Sequence, residues 1–279
     1  MKVLIAGGTG FLGRPLAAAL AADGHHVVAL PRGSTDGVDG ADVVINLAGE
    51  SIAAGRWSAA QKQRILDSRV TTTRHLTDAI REAARPPRVF VSASAVGYYG
   101  PCGDEVVTES TGPGGNFMAG VCVAWESEAA RAAGRARVVR VRSGLVLERD
   151  GGALAQMLPP FWFGAGGPVG SGRQYWPWIH RADWIALVRW AIDHEVVDGA
   201  VNATAPAPVT NKAFASALGR AMRRPALMPA PAFALRLLLG EMADALLLSG
   251  QRAIPEKAQR LGFTFRYAQL DAALHALFQ

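Results

Sequence analysis

Three glycines spaced three residues apart give this sequence its clearest chemistry. Gly7-Gly8-Thr9-Gly10-Phe11-Leu12-Gly13 lies between a short apolar run, residues 3–6, and an amphipathic stretch, residues 11–22. The first glycine permits a tight turn, the second lets backbone approach a pyrophosphate, and the third lets the next helix sit close to the strand. The free N–H groups and dipole of that helix end favour an anion. Glycines placed between strand and helix therefore imply a dinucleotide turn formed by Gly7, Thr9, Gly10, Phe11, Leu12 and Gly13, the rival being a purely structural turn.

A second signal lies at the end of the next apolar run. A site built for an unphosphorylated ribose places a carboxylate there, to accept from the 2′-hydroxyl. This chain reads Ala29-Leu30-Pro31-Arg32-Gly33. A guanidinium gives charge-assisted bonds to a phosphate, so Arg32 favours NADP(H) over NAD(H). The competing reading is a surface arginine in a loop.

The elements that must position these residues alternate. Apolar strands are expected at 3–6, 26–30, 43–46, 89–92 and 138–141, with helices near 11–22, 58–84 and 116–133. Nearly continuous apolar strands separated by helices imply a parallel sheet covered on both faces, an α/β fold of the doubly wound Rossmann type. The second half changes character. Residues 151–172 are rich in Gly, Pro and aromatics, with a short helix near 153–158. Helices follow near 181–193, 211–222, 231–248, 255–261 and 267–277, with a strand at 200–203. The expected division is a dinucleotide-binding domain over 1–147, joined again by 181–203, and a smaller, mainly helical substrate lobe from 148–180 and 204–279.

Composition excludes several classes. Half of the 279 residues are hydrophobic and 19% are charged, which is globular and not disordered. The net charge of +6 comes from scattered arginines, so no nucleic-acid partner is expected, and a small anionic molecule fits the excess better. The most apolar stretch, 226–248, is broken by Pro229, Pro231, Arg236, Glu241 and Asp244, and the first apolar run stops at Gly7. No membrane span or signal peptide is expected, and the reading is a soluble cytoplasmic protein. Cys102 and Cys122 read as free thiols, and no histidine or cysteine spacing suggests a metal.

The chain resembles the extended short-chain dehydrogenase/reductase superfamily, the NAD(P)-dependent epimerases and dehydratases. The glycine turn, Asn46-Leu47-Ala48-Gly49 and Val91-Ser92-Ala93-Ser94-Ala95-Val96-Gly97-Tyr98-Tyr99-Gly100 carry the likeness. A narrower likeness, to an atypical nucleoside-diphosphate-sugar-epimerase-like branch whose reaction is generally not established, spans nearly the whole chain. It runs through Glu50-Ser51-Ile52, Arg56-Trp57, Ser68-Arg69-Val70, Trp125-Glu126, Arg142-Ser143-Gly144 and Gly172–His180. The resemblance implies a seven-stranded Rossmann-type sheet and, by analogy, a homodimer. It adds Leu47, Ala48, Gly49, Glu50, Arg69, Ser92, Cys122 and Gly144 to the cofactor side, and Ser94 as a catalytic hydrogen-bond donor.

One departure is specific. The superfamily uses Tyr-x-x-x-Lys, in which lysine lowers the tyrosine pKa and tyrosine relays a proton. The residues four beyond Tyr98, Tyr99, Tyr175 and Tyr267 are Cys102, Gly103, Ile179 and Asp271. Counted from Glu126, the two positions hold Met118 and Cys122. The substitutes are Ser94, against a strand-end serine bonded to backbone, and Tyr98 or Tyr99, against an aromatic pocket wall. Cys122 is a thiol near the nicotinamide or a small buried hydrophobe. Glu50 is a base or amide-orienting group, or the partner of Arg69. Asp183 is expected to cap a helix starting near Trp184, with His180 a satisfied structural group. Arg173, Gln174, Trp176 and Trp178 form a substrate wall, or the tryptophans are core. The resulting reading is an NADP(H)-dependent oxidoreductase or epimerase-like enzyme on a small substrate; the alternative is an NADP(H)-binding sensor without turnover.

Overall fold

Strands form at the apolar runs, and most of them feed a helix. The computed structural model describes residues 1–279. Its first half runs β1 (Lys2–Ala6), α1 (Gly13–Ala22), β2 (His26–Leu30), β3 (Val43–Asn46), α2 (Ala59–Glu82), β4 (Val89–Ala95), β5 (Val106–Val107) and α3 (Phe117–Ala130). Then come β6 (Arg137–Ser143), β7 (Leu145–Leu147), α4 (Gly152–Trp162), β8 (Tyr175–Trp176), β9 (Trp178–His180), α5 (Arg181–Asp193) and β10 (Gly199–Ala203). The chain closes with β11 (Val209–Thr210), α6 (Asn211–Met222), α7 (Ala232–Leu239), α8 (Glu241–Ala243), β12 (Arg252–Ala253), α9 (Glu256–Arg260) and α10 (Leu270–Phe278).

Six parallel strands make the main sheet, in the order β10-β6-β4-β3-β1-β2. Alternate residues of each strand feed two cores. Val3, Ile5, Val43, Ile45, Val89, Val91, Val139 and Val141 pack with Leu16 and Leu20 of α1 and Trp184 and Leu187 of α5. Leu4, Val44, Phe90 and Val138 face the other way, onto Leu76 and Ile80 of α2 and Ala129 of α3. Both faces are covered, so these strands read as unbroken apolar runs. Each such side chain contributes roughly 1.5–3 kcal/mol by leaving water. The chain passes from β1 to β2 on one side and crosses to β3 on the other. Ligand crevices of open α/β sheets lie at such switch points, beyond the carboxyl ends of the strands.

The sheet has six strands where the resemblance implied seven. Beyond β10 the chain reads Ala205-Pro206-Ala207-Pro208. Proline has no N–H to give a ladder, and the chain leaves the sheet for β11, which pairs antiparallel with β8. A separate core gathers there, with Trp176, Trp178, Phe214, Leu218, Leu270 and Leu274 buried together.

Helix limits differ from the sequence reading where a local group decides them. The helix expected over 231–248 breaks at Gly240, whose φ of +63° suits glycine and whose N–H closes on Arg236. α4 outruns the expected 153–158 despite Pro159 and Pro160, because Leu154, Leu158 and Phe161 bury one face. α10 starts at Leu270 and not at 267, since the N–H groups of Arg266 and Tyr267 go to the Asp183 carboxylate at 2.9 and 2.8 Å. Asp183 is therefore no cap. α5 starts at Arg181, and the cap is His180, whose Nδ1 accepts the Ala182 N–H at 3.1 Å. No helix is long and apolar enough to cross a membrane.

Candidate functional site

The glycine turn leaves β1 beside the segment that leaves β3. A Cβ on Gly7, whose φ is +79°, would lie 2.8 Å from the Leu47 backbone, and one on Gly13 would lie 2.1 Å from the Gly7 carbonyl oxygen. Those two glycines are required by packing. Gly10 is different: a Cβ there would meet only the Gly7 oxygen, at 3.2 Å. Its other side is open. The helix begins two residues later than expected, at Gly13, with no side-chain cap. Within the chain the N–H groups of Thr9, Phe11, Leu12 and Gly13 therefore have no acceptor. An open glycine and four free donors at a helix start form a cradle with the chemistry of a pyrophosphate site.

Two cations stand near this cradle. Arg32 follows β2, is exposed and makes no internal hydrogen bond or ion pair. Arg14, in the first turn of α1, reaches only the Thr9 carbonyl, at 3.4 Å. A cation in the first turn opposes the helix dipole. That conflict was the signal available in the sequence for Arg14, and the glycine reading passed over it.

The wall opposite is set by a buried asparagine. Asn46 accepts from the Ala48 N–H at 3.1 Å and donates to Thr73 at 2.8 Å, which fixes the Leu47–Glu50 segment against α2. Arg69 lies under Gly49 and donates to the carbonyls of Ile65 and Glu50 at 3.0 and 3.1 Å. Burial holds the Arg69 guanidinium below its ordinary pKa, the nearby Cys122 and Glu50 opposing that shift. The expected Glu50–Arg69 ion pair is absent. The Glu50 carboxylate faces outward along α2, to Gln61 at 3.1 Å and Arg64 at 3.4 Å, because Arg69 is spent on carbonyls.

Ser94 and Tyr98 occupy different surroundings. Ser94 is buried and donates to Glu126 at 2.7 Å, not to backbone. Glu126 in turn accepts two bonds from Arg142, at 2.7 and 2.9 Å. Arg142 continues to the Tyr99 hydroxyl at 3.0 Å, and Tyr99 donates to Asn202 at 2.7 Å. Burial pushes the Tyr99 phenol up to about 12, with Arg142 pulling against it. The Arg142 guanidinium also covers the half-buried Tyr98 ring, 3.5 Å from its centroid. This chain of polar groups escaped the sequence reading. Its one signature was the alternation Arg140-Val141-Arg142, which puts two arginines on one face of a strand.

Met118 and Cys122 both lie buried on α3. Burial, with Glu126 adding, pushes the Cys122 thiol up to about 11, so it is a neutral small group at ordinary pH. Ser92 is buried and reaches only the Ala93 carbonyl, at 3.3 Å. Gly144 stands where β6, β9 and β10 crowd together; a Cβ would lie 2.6 Å from the Pro177 oxygen. Of the two readings for Arg173, Gln174, Trp176 and Trp178, a substrate wall or core tryptophans, the structure takes the second. Trp176 and Trp178 are core, and the Gln174 amide donates to the carbonyls of Val169 and Leu247. His180, besides capping α5, stacks on Tyr267 at 4.1 Å. Burial lowers its pKa. No group of His, Cys, Asp and Glu is arranged to hold a metal.

Comparison with known proteins agrees with this fold. The profile of the NAD dependent epimerase/dehydratase family matches residues 35–203, and that of a domain of unknown function, DUF1731, matches residues 230–277. An epimerase family protein of Mycobacterium leprae is 42% identical, covering 98% of this chain and 94% of that one. The crystal structure of the human epimerase family protein SDR39U1 (isoform 2) with NADPH superposes with a TM-score of 0.94 at 36% identity, covering 99% of each chain. A nucleoside-diphosphate sugar epimerase of Corynebacterium glutamicum gives a TM-score of 0.81 at 32% identity, over all of this chain and 58% of that one.

Proposed function

Because this chain belongs to the NAD-dependent epimerase/dehydratase family, we propose that it binds NADP(H) across the β1–β3 switch point and acts as an oxidoreductase or epimerase-like enzyme on a small anionic molecule. The observation that carries the reading is the cradle of free N–H groups from Thr9 to Gly13 around the open Gly10, flanked by the uncommitted Arg14 and Arg32. The NADPH in the human relative supports it.

In this reading Gly7, Thr9, Gly10, Phe11, Leu12 and Gly13 hold the pyrophosphate, and Arg32 and Arg14 take the 2′-phosphate. Leu47, Ala48, Gly49 and Glu50 line the adenine-ribose side. Arg69, Ser92, Cys122 and Gly144 border the nicotinamide half. A nicotinamide held there supplies hydride exchange with a substrate carbon. The chain supplies orientation and the proton path. Because the Ser94 hydroxyl hydrogen is given to Glu126, its lone pairs are free to accept a substrate hydroxyl. Tyr99 is committed to Arg142 and Asn202, so Tyr98, beside it under the Arg142 guanidinium, is the candidate proton donor.

A second reading, a cofactor-binding sensor without turnover, is favoured by one observation: Met118 and the neutral Cys122 stand where the tyrosine and lysine belong. Losing a positioned general acid costs about 10²–10⁴ in rate. Calorimetric titration of the cofactor-free protein with NADPH, NADH, NADP⁺ and NAD⁺ tests both. We expect NADPH to bind at least about tenfold tighter than NADH, with the preference lost in Arg32→Ala. No binding of any of the four overturns both readings. Stereospecific loss of label from C4-labelled NADPH, in a screen of carbonyl compounds and phosphorylated sugars, rules out the sensor; its absence across the screen rules out the enzyme.

A further inference from the structure

A cleft of about 460 Å³ opens on the α3 face of the sheet, beside β6 and β10, away from the glycine turn. Its walls include Arg140 and Arg142 of β6, Gly199 at the start of β10, Lys257 and Arg260 of α9, and Thr111 of the turn before α3. None of the residues assigned to the cofactor lines it; Tyr98, the candidate proton donor, does, with its ring under Arg142.

Its cations are arranged for something they do not hold. The point where a Cβ on Gly199 would sit lies 3.3 Å from Arg140 Nη2 and 3.6 Å from Lys257 Nζ. Two positive groups thus converge over a residue without a side chain. Arg140 makes no hydrogen bond in the chain, and its carboxylate neighbour, Glu126 at 3.5 Å, is already gripped by Arg142. Lys257 gives one of its donors to the Asp198 carbonyl, at 2.6 Å. Arg260 has no ion-pair partner. The acidic group within the cleft is committed elsewhere: Glu109 accepts the backbone N–H groups of Asn202 and Lys257, at 2.9 and 3.2 Å. Glu256 stands exposed at the rim. The Thr111 oxygen accepts the Thr108 N–H at 3.1 Å, which leaves its own hydroxyl hydrogen to donate.

Like charges brought together at partial burial repel, and the cost is removed when an anion enters between them. Burial lowers the Lys257 pKa; Glu109 and Asp198 offset part of that, while Arg140 and Arg260 add to it. The donors suit a group with several acceptor oxygens.

We propose that this cleft is a second binding site, for the phosphate or carboxylate group of a small metabolite, separate from the dinucleotide groove. Arg140 and Lys257 grip the anion over Gly199, with Arg260 at the mouth and Thr111 on one wall. The volume suits a metabolite-sized molecule.

Titration calorimetry with inorganic pyrophosphate, inorganic phosphate and citrate, at low ionic strength on the full-length protein, tests the site. Pyrophosphate and phosphate stand for a phosphorylated ligand, citrate for a carboxylate one. At least one probe binds the wild type with one-to-one stoichiometry. Lys257→Met combined with Arg260→Gln weakens it about tenfold or more, while Lys257→Arg, which keeps the charge, stays within about threefold. Gly10→Val combined with Arg32→Ala, which closes the glycine-turn cradle and removes its flanking cation, leaves the binding unchanged. Loss in that second pair means the probe sits at the glycine turn and overturns the proposal without touching the cofactor reading. Failure of all three probes to bind, or equal binding by Lys257→Met/Arg260→Gln, also overturns it. Because the second pair reports on the dinucleotide groove alone, failure of the cofactor reading is seen separately, in the NADPH titration.

Discussion

Replacing Arg142 by methionine tests whether the polar chain under Ser94 is a coupled unit. Arg142 and Glu126 side chains are each only 4% exposed, and their fork of bonds measures 2.7 and 2.9 Å. Methionine keeps the stem's packing and removes the charge. Breaking a buried pair from one side leaves the other charge uncompensated, at a cost of roughly 3–5 kcal/mol. The Tyr99 hydroxyl also loses a donor, worth about 1 kcal/mol net. Arg140, 3.5 Å from Glu126, recovers part of the loss. The expected destabilisation is about 3–4 kcal/mol, which for a chain of this size lowers Tm by roughly 6–16 °C. Urea unfolding followed by tryptophan fluorescence, checked by calorimetry, measures it. Adding Glu126→Gln neutralises the stranded carboxylate, so the double variant is more stable than Arg142→Met alone. A loss below about 1 kcal/mol in the single variant, or a double variant whose losses simply add, refutes the reasoning.

Three further outcomes follow from the geometry. Gly10→Val costs much less stability than Gly13→Ala and loses NADPH by about 10²-fold or more, since a Cβ at Gly10 meets only the Gly7 oxygen, at 3.2 Å, and the methyls beyond it fill the anion cradle; Gly13→Ala lowers Tm sharply, because its Cβ falls 2.1 Å from that oxygen. A thiol raised from 9.0 to about 11 by folding binds its proton more tightly in the native state, so stability is full below pH 9 and falls as pH rises toward 11. Cys122→Ala flattens that alkaline fall in denaturant titrations, and a profile unchanged by the substitution contradicts the assignment. Asp183→Asn lowers stability by about 1–3 kcal/mol, because two backbone donors of the 266–267 turn lose a charged acceptor; a neutral effect shows the turn is held otherwise.

Much of the fold was legible in the residues alone. Strands β1, β3, β4 and β6 announced themselves as apolar runs because both faces of the sheet are buried, β2 did so from its β-branched pair at the sheet edge, and the glycine turn followed from its spacing between strand and helix. The absence of Tyr-x-x-x-Lys needed no coordinates, since sequence distance defines that pair. What the tertiary structure decided were partnerships between residues far apart in the chain. Asp183 looked like a helix cap because its sequence neighbours suggested one; its carboxylate is taken by residues more than eighty positions away. Glu50 and Arg69 had complementary charges, but two carbonyls claimed the guanidinium first. For Trp176 and Trp178 the sequence left a substrate wall and a core position open, and packing against α6 and α10 selected the core. The Ser94–Glu126–Arg142–Tyr99–Asn202 chain joins three strands, α3 and the turn that follows β4. Local pattern fixes which face a residue presents; which charge reaches it is set only when the sheet brings distant strands within hydrogen-bond distance.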